Sequence, residues 1–148
     1  MDRKDFIKRC GLACVGGGAV ATLLQACGLS NNLDGKISGD DLVVPVTDFE
    51  TSAAGEVHYK KYIVLHNDKL KFPICVYRTD AQHYTALWLQ CTHQGAELQV
   101  FGNKLQCPAH GSEFDSAGNA TNGPASKNLR AFPVRIENNQ LKISLKAI

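Results

Sequence analysis

The sequence predicts an all-β protein, a sandwich or small barrel, and three observations carry that prediction. Beyond residue 40 most of the chain falls into short runs rich in Val, Ile, Tyr and Thr, separated by Asn, Asp and Gly. The last run alternates Leu141, Ile143 and Leu145 with Lys142, Ser144 and Lys146, the period of a half-buried strand. No helical stripe of useful length occurs outside the N-terminal segment, and no internal repeat is visible. With 148 residues, 44% hydrophobic and 20% charged, the chain has the length and composition of one folded domain. Disordered, collagen-like and coiled-coil classes are excluded on the same grounds.

The first segment reads as targeting. A charged stretch, residues 1–9, precedes an apolar, Gly-rich run at 10–26 and a polar stretch at 28–40, the layout of a secretory signal. Residues 2–8 resemble the twin-arginine export motif with Lys4 in place of the second arginine. Leu24-Gln25-Ala26-Cys27 resembles a bacterial lipobox, in which Cys27 would carry lipid. These features divide the chain into a signal at 1–26, a lipid-anchored flexible tether at 27–40, and a body at 41–148. A retained membrane helix over residues 10–29 is the alternative, since its length approaches the ~20 residues of a span. Gly16, Gly17 and Gly18 make it a poor one. Both readings place the body outside the cytoplasm of a bacterium, held to a membrane on its periplasmic or outer side. The pattern Gly16-x-Gly18-x-x-Ala21 matches a dinucleotide fingerprint only on paper, because no strand precedes it.

Within the body, strands are expected over residues 42–47, 57–66, 69–79 and 84–90, with turns at Asn67-Asp68 and Thr79-Asp80. A final hairpin pairs 129–137 with 140–146 around Asn138-Asn139. Residues 91–125 break the pattern, being dense in Gly, Pro, Asn and small polar residues, and a rigid β scaffold commonly carries its site on such loops. Sixteen basic and fourteen acidic residues give a formal charge of +2, but four bases and two acids lie in the first 26 residues. Twelve of each remain over residues 27–148. A neutral body without a basic stripe excludes nucleic acid as the partner.

The chemistry lies in two boxes. Cys91-Thr92-His93-Gln94-Gly95 and Cys107-Pro108-Ala109-His110-Gly111-Ser112 each offer one thiolate and one imidazole. The thirteen residues between His93 and Cys107 allow a hairpin with Gly102-Asn103 at its tip, bringing the boxes together. Two sulfur and two nitrogen donors define a metal site, and tetrahedral zinc accepts that set. Zinc fingers, however, pair cysteine with cysteine and histidine with histidine along the chain. One of each per loop suits a [2Fe-2S] cluster whose thiolates hold one iron and whose imidazoles hold the other.

On these boxes the chain is very similar to Rieske iron-sulfur proteins, and Gly123-Pro124-Ala125 resembles the proline-containing loop that covers their cluster. The resemblance spans residues 41–148. It implies an antiparallel β-sandwich with a small cluster-binding subdomain of two loops and one [2Fe-2S] cluster per chain. It further implies that Cys91 and Cys107 ligate one iron, that His93 and His110 ligate the other, and that Ser112 donates its hydroxyl to a cluster sulfide. Gly95 and Gly111 would allow the backbone to approach the cluster. Replacing two thiolates by neutral imidazoles raises the potential to between about −150 and +300 mV.

Three departures from the pattern of cytochrome bc complexes bear on function. The extra cysteine of each box, joined there as a disulfide, is Ala96 in one box and Ala109 in the other; a common tyrosine is Phe114; and Gln94 replaces a frequent leucine. The implied function is a membrane-tethered one-electron carrier, a redox subunit passing electrons from quinol to a cytochrome, with a cytochrome b and a cytochrome c as partners. As an enzyme it would at most be the iron-sulfur subunit of a quinol:cytochrome c oxidoreductase-type complex, and no catalytic acid–base pair is visible. The alternative is a free-standing extracytoplasmic carrier for another oxidase or reductase, towards which the absent disulfide and Phe114 lean. A dioxygenase ferredoxin conflicts with the export signal, and a structural zinc module is the non-redox rival. Cys75 reads as a buried strand cysteine, His58, His66 and His83 as surface or hydrogen-bonded residues, and Trp88 as core beneath the cluster loops.

Overall fold

The computed structural model describes residues 30–146. The segment read as a signal, 1–26, and Cys27, the expected lipid site, lie outside the described residues. Fifteen short strands follow one another: β1 (Asn32–Asp34), β2 (Lys36–Ser38), β3 (Asp41–Pro45), β4 (Glu50–Ala53), β5 (Glu56–Tyr59), β6 (Tyr62–His66), β7 (Ile74–Arg78), β8 (Tyr84–Trp88), β9 (Gln99–Phe101), β10 (Lys104–Gln106), β11 (Glu113–Asp115), β12 (Ala120–Asn122), β13 (Ala131–Phe132), β14 (Val134–Glu137) and β15 (Gln140–Ser144). Among the described residues the only helical element is a 3-10 turn, Val46–Phe49, and no helix is long and apolar enough to cross a membrane. The fold class is therefore the expected β-sandwich.

A five-stranded sheet in the order β1-β6-β7-β8-β13 forms the middle layer. Alternate side chains of its central strands enter two separate cores. Ile63, Leu65, Ile74, Val76 and Ala86 pack with Leu42, Val44, Leu141 and Ile143 of the sheet β14-β15-β3-β2. Val64, Cys75, Tyr77 and Leu87 point the other way, into a core shared with Leu105 and Phe114 of the sheet β12-β11-β10-β9. Burial on both faces explains the unbroken apolar runs Ile63-Val64-Leu65 and Ile74-Cys75-Val76-Tyr77, which show no alternation in the sequence. Each fully buried Leu or Ile here stabilises the fold by about 1.5–3 kcal/mol relative to exposure.

The expected turns form. Strands β6 and β7 pair with Leu65 opposite Ile74, and β7 and β8 pair with Arg78 opposite Tyr84. Asn138 and Asn139 both adopt positive φ, 51° and 59°, as a two-residue hairpin turn of the primed type demands. Other boundaries shift. The run 57–66 breaks between β5 and β6, the run 69–79 yields only β7, and the run 129–137 divides at Pro133, which has no N–H to donate. Before β7 the chain instead closes a turn in which the Asn67 side chain accepts from the Lys69 N–H at 3.0 Å.

The flexible tether at 27–40 needs correction. From Asn32 the segment is strand: β1 runs parallel to β6, with Leu33 opposite Leu65, and β2 runs antiparallel to β3, with Ile37 opposite Leu42. Leu33 and Ile37 pack on the second core. Gly35 signals contact here rather than freedom, because a Cβ at that position would lie 2.7 Å from a Leu42 methyl. The folded body begins at Asn31, ten residues earlier than composition suggests.

Candidate metal centre

The hairpin between the two boxes forms as its spacing requires. Strand β9 pairs with β10, Phe101 opposite Lys104, so that Gly102-Asn103 is a two-residue tip and Gly102 takes φ +58°. Its far ends carry the boxes, which repeat one backbone design. In the first, the Gly95 N–H donates to the Cys91 carbonyl at 2.9 Å and the Cys91 N–H to the Ala96 carbonyl at 2.8 Å. In the second, the Gly111 N–H donates to the Cys107 carbonyl at 3.0 Å and the Cys107 N–H to the Ser112 carbonyl at 2.8 Å. Each loop closes through a glycine at φ +78° or +79°, a conformation in which a Cβ would be strained. This conformational demand is the visible reason for glycine at both places; at Gly111 the space beside the backbone is open.

The loops sort their donors by depth. Cys91 and Cys107 are each 2% exposed and lie in the core that contains Leu105 and Phe114. His93 and His110 stand at the surface, their rings edge to face with centroids 5.0 Å apart. Burial disfavours ionisation of Cys107, but backbone N–H groups of Ala109 and His110 and the Cys91 side chain outweigh it and hold the thiol below its ordinary pKa. Thiol therefore meets thiol inside, and imidazole meets imidazole outside. Among the described residues no three His, Cys, Asp or Glu side chains converge as a site for one ion would require.

Ser112 is fully buried, the one buried polar or charged residue among those described. Its hydroxyl oxygen accepts the Ala125 N–H at 3.0 Å, which leaves its own hydrogen to donate elsewhere. That bond ties the Gly123-Pro124-Ala125 loop to the second box. Thr92 ties the same loop to the first, its hydroxyl donating to the Lys127 carbonyl at 2.7 Å. Nothing local in the sequence signals the Thr92 contact, since its partner lies 35 positions away.

Residues 35–133 match the Rieske [2Fe-2S] domain. The chain belongs to the Rieske family. A Rieske domain binds a [2Fe-2S] cluster, and its role is electron transfer. The chain is similar in fold to the plasma membrane Rieske protein PetC3 of the cyanobacterium Synechocystis PCC 6803, with 24% identity and a TM-score of 0.49 over 57% of this chain and 86% of that one. It is also similar to the ferredoxin of Sphingomonas yanoikuyae B1, with 28% identity and a TM-score of 0.44 over 57% and 84%. A third likeness is the ferredoxin of carbazole 1,9a-dioxygenase from Nocardioides aromaticivorans IC177, with 25% identity and a TM-score of 0.44 over 58% and 86%. No curated protein matches the chain.

The donor set fits the cluster that this family binds. Two adjacent thiols, two adjacent imidazoles, a buried hydroxyl with a spare hydrogen and backbone N–H groups at a sulfur are the groups such a cluster needs. Cys75, Cys91 and Cys107 are free thiols, and no disulfide joins the described part of the two boxes. Ala96, partly buried against the core, and Ala109, exposed, occupy the places where relatives in cytochrome bc complexes have that bridge.

The remaining expectations resolve individually. Cys75 is fully buried in β7, where desolvation pushes its thiol up to about 12. His83 binds the Asp80 carboxylate at 2.8 Å, His66 contacts the Asn32 side chain at 3.2 Å, and His58 lies 3.9 Å from Glu56. Trp88 is a correction. It is half-buried and packs against Phe72 and Phe132 with the second core, and only borders the first box, because its position in β8 faces away from Leu87 and Leu89.

Proposed function

We propose that Cys91 and Cys107 hold one iron and His93 and His110 the other, and that this chain is an exported, membrane-tethered carrier of single electrons. The observation that carries the ligand assignment is the two-by-two sorting, thiols paired in the core and imidazoles paired at the surface. A cluster held this way would supply one-electron chemistry. The protein's part is to bury the thiolate side in an apolar core, to place N–H and O–H donors around it, and to present the imidazole side to a partner. Electrons therefore enter and leave past His93 and His110.

The anchor rests on Cys27 and the signal-like segment before it. With the folded body starting at Asn31, only residues 28–30 separate Cys27 from it. A lipid there holds the domain close to the bilayer instead of on a long leash. Between the two uses of such a carrier, the tether favours a redox subunit that takes electrons from quinol and passes them to a cytochrome. Ala96, Ala109 and Phe114 favour a free-standing carrier serving another oxidase or reductase, and we adopt this second use.

The test combines three measurements on the full chain. Absorption and EPR spectra of the reduced protein should show a cluster with two nitrogen-ligated positions, lost in Cys91→Ser and in His110→Ala; a colourless zinc-loaded protein would refute the assignment. Mass spectrometry should find a polypeptide that starts at a lipidated residue 27, whereas an intact Met1 would refute the anchor. Mixed with a quinol and a cytochrome c, the carrier should show no quinol oxidation of its own, and rapid reduction by quinol alone would restore the quinol-oxidising reading.

A further inference from the structure

The surface around the imidazoles is uneven in charge. Beside His93 runs an open groove of about 520 Å³ lined by Trp88, Gln90, Thr92, Gln94, Lys127 and Arg130. Two cations line it together with the first box, and no carboxylate does. Neither cation is paired: among the described residues, the ion pairs of Lys and Arg involve Lys104, Arg135, Lys142 and Lys146. The backbone that carries Lys127 and the guanidinium of Arg130 are both held in place. The Lys127 carbonyl accepts from Thr92, one residue before His93, and the Arg130 guanidinium stacks 4.6 Å from the Phe132 ring. The second box adds nothing negative, since Pro108 and Ala109 precede His110 and Gly111 follows it.

We infer that this groove is a docking surface for a redox protein whose own electron-transfer face is acidic. The inference rests on the ligand assignment above and deepens it by naming the kind of partner. Two positive charges beside the electron's exit raise the encounter rate of an anionic partner and orient it with its acidic patch over His93. On a body with twelve acids and twelve bases, such steering arises from where the charges sit and not from net charge. A cationic partner is disfavoured at the same place.

Small charged oxidants test this without knowing the partner. The reduced full-length protein is mixed in stopped flow with hexacyanoferrate(III), a trianion, or tris(phenanthroline)cobalt(III), a trication. Each takes one electron from the protein and becomes the corresponding iron(II) or cobalt(II) complex. Oxidation by the anion should slow as salt is raised and oxidation by the cation should quicken. At about 10 mM ionic strength, Lys127→Glu and Arg130→Gln should each slow the anion by roughly three- to tenfold and speed the cation, the differences vanishing near 1 M. Lys36→Glu, exposed on β2 at the edge of the outer sheet, makes the same change in net charge as Lys127→Glu and should leave both rates near wild type. Equal effects of Lys36→Glu and Lys127→Glu, or parallel salt responses of the two oxidants, would overturn the docking surface while an intact EPR signal left the ligand assignment standing. Absence of the cluster signal from the wild type would overturn both.

Discussion

Removing the Ser112 hydroxyl separates a structural role from an electronic one. In Ser112→Ala the Ala125 N–H, now 3.0 Å from the hydroxyl oxygen, loses its acceptor in a fully buried place. A buried donor left unpaired costs about 1–3 kcal/mol, so the urea midpoint should fall and the 123–125 loop should loosen. The same substitution removes the hydroxyl hydrogen. If that hydrogen faces the cluster, it favours the extra negative charge of the reduced form, and its loss lowers the potential. A difference of about 1 kcal/mol between redox states corresponds to about 40 mV for one electron, which sets the scale of the expected drop. Protein-film voltammetry at pH 7 measures it. Ser112→Thr is the companion variant, since it keeps the hydroxyl and adds a methyl to a packed site; it should lose stability by overpacking and hold its potential near wild type. A lowered midpoint in urea with an unchanged potential in Ser112→Ala would show that the hydroxyl only pins the loop.

Phe114 lies in the core that also holds Cys91 and Cys107 and brings no polar group to it, so Phe114→Tyr should raise the potential by tens of millivolts if its new hydroxyl reaches a ligand sulfur; an unchanged or lowered potential in voltammetry would show that the ring edge faces elsewhere. With its thiol pushed up to about 12, Cys75 holds only about one part in ten thousand thiolate at pH 8, and peptide mapping after alkylation should find it unmodified in the folded protein but labelled in urea. Desolvation acts to raise the Asp115 pKa, but the Asn119 side chain and the backbone N–H groups of Asn119, Ala117 and Gly118 hold it below the usual carboxylate value. Its contribution to stability is therefore present above about pH 4 and is lost as pH falls through the folded value, so Asp115→Asn should flatten the acid limb of a urea-midpoint profile.

The two boxes and the length of chain between them were enough to single out the candidate donors and to predict the hairpin, because donor chemistry and tight turns are specified by residues close in sequence. Gly102-Asn103 and Asn138-Asn139 fall at the tips of β9-β10 and β14-β15 for the same reason. Positive φ is a local property that few residues tolerate. Where the sequence misled, the deciding partner was distant. Residues 32–38 have the composition of a linker, yet β6 and β3 recruit them as strands, and Gly35 serves a contact with Leu42 that no nearby residue announces. Trp88 is three positions from Cys91 but packs on the opposite side of the middle sheet, because strand alternation and not proximity in the chain assigns its face. The depth sorting of the site also belongs to the tertiary structure. Each box contains one Cys and one His in sequence; only packing of the loops on the core of Leu105 and Phe114 turns both sulfurs inward and leaves both rings at the surface. Burial of apolar area and the pairing of strands far apart in the chain act across the whole domain, and no run of neighbouring residues records their outcome.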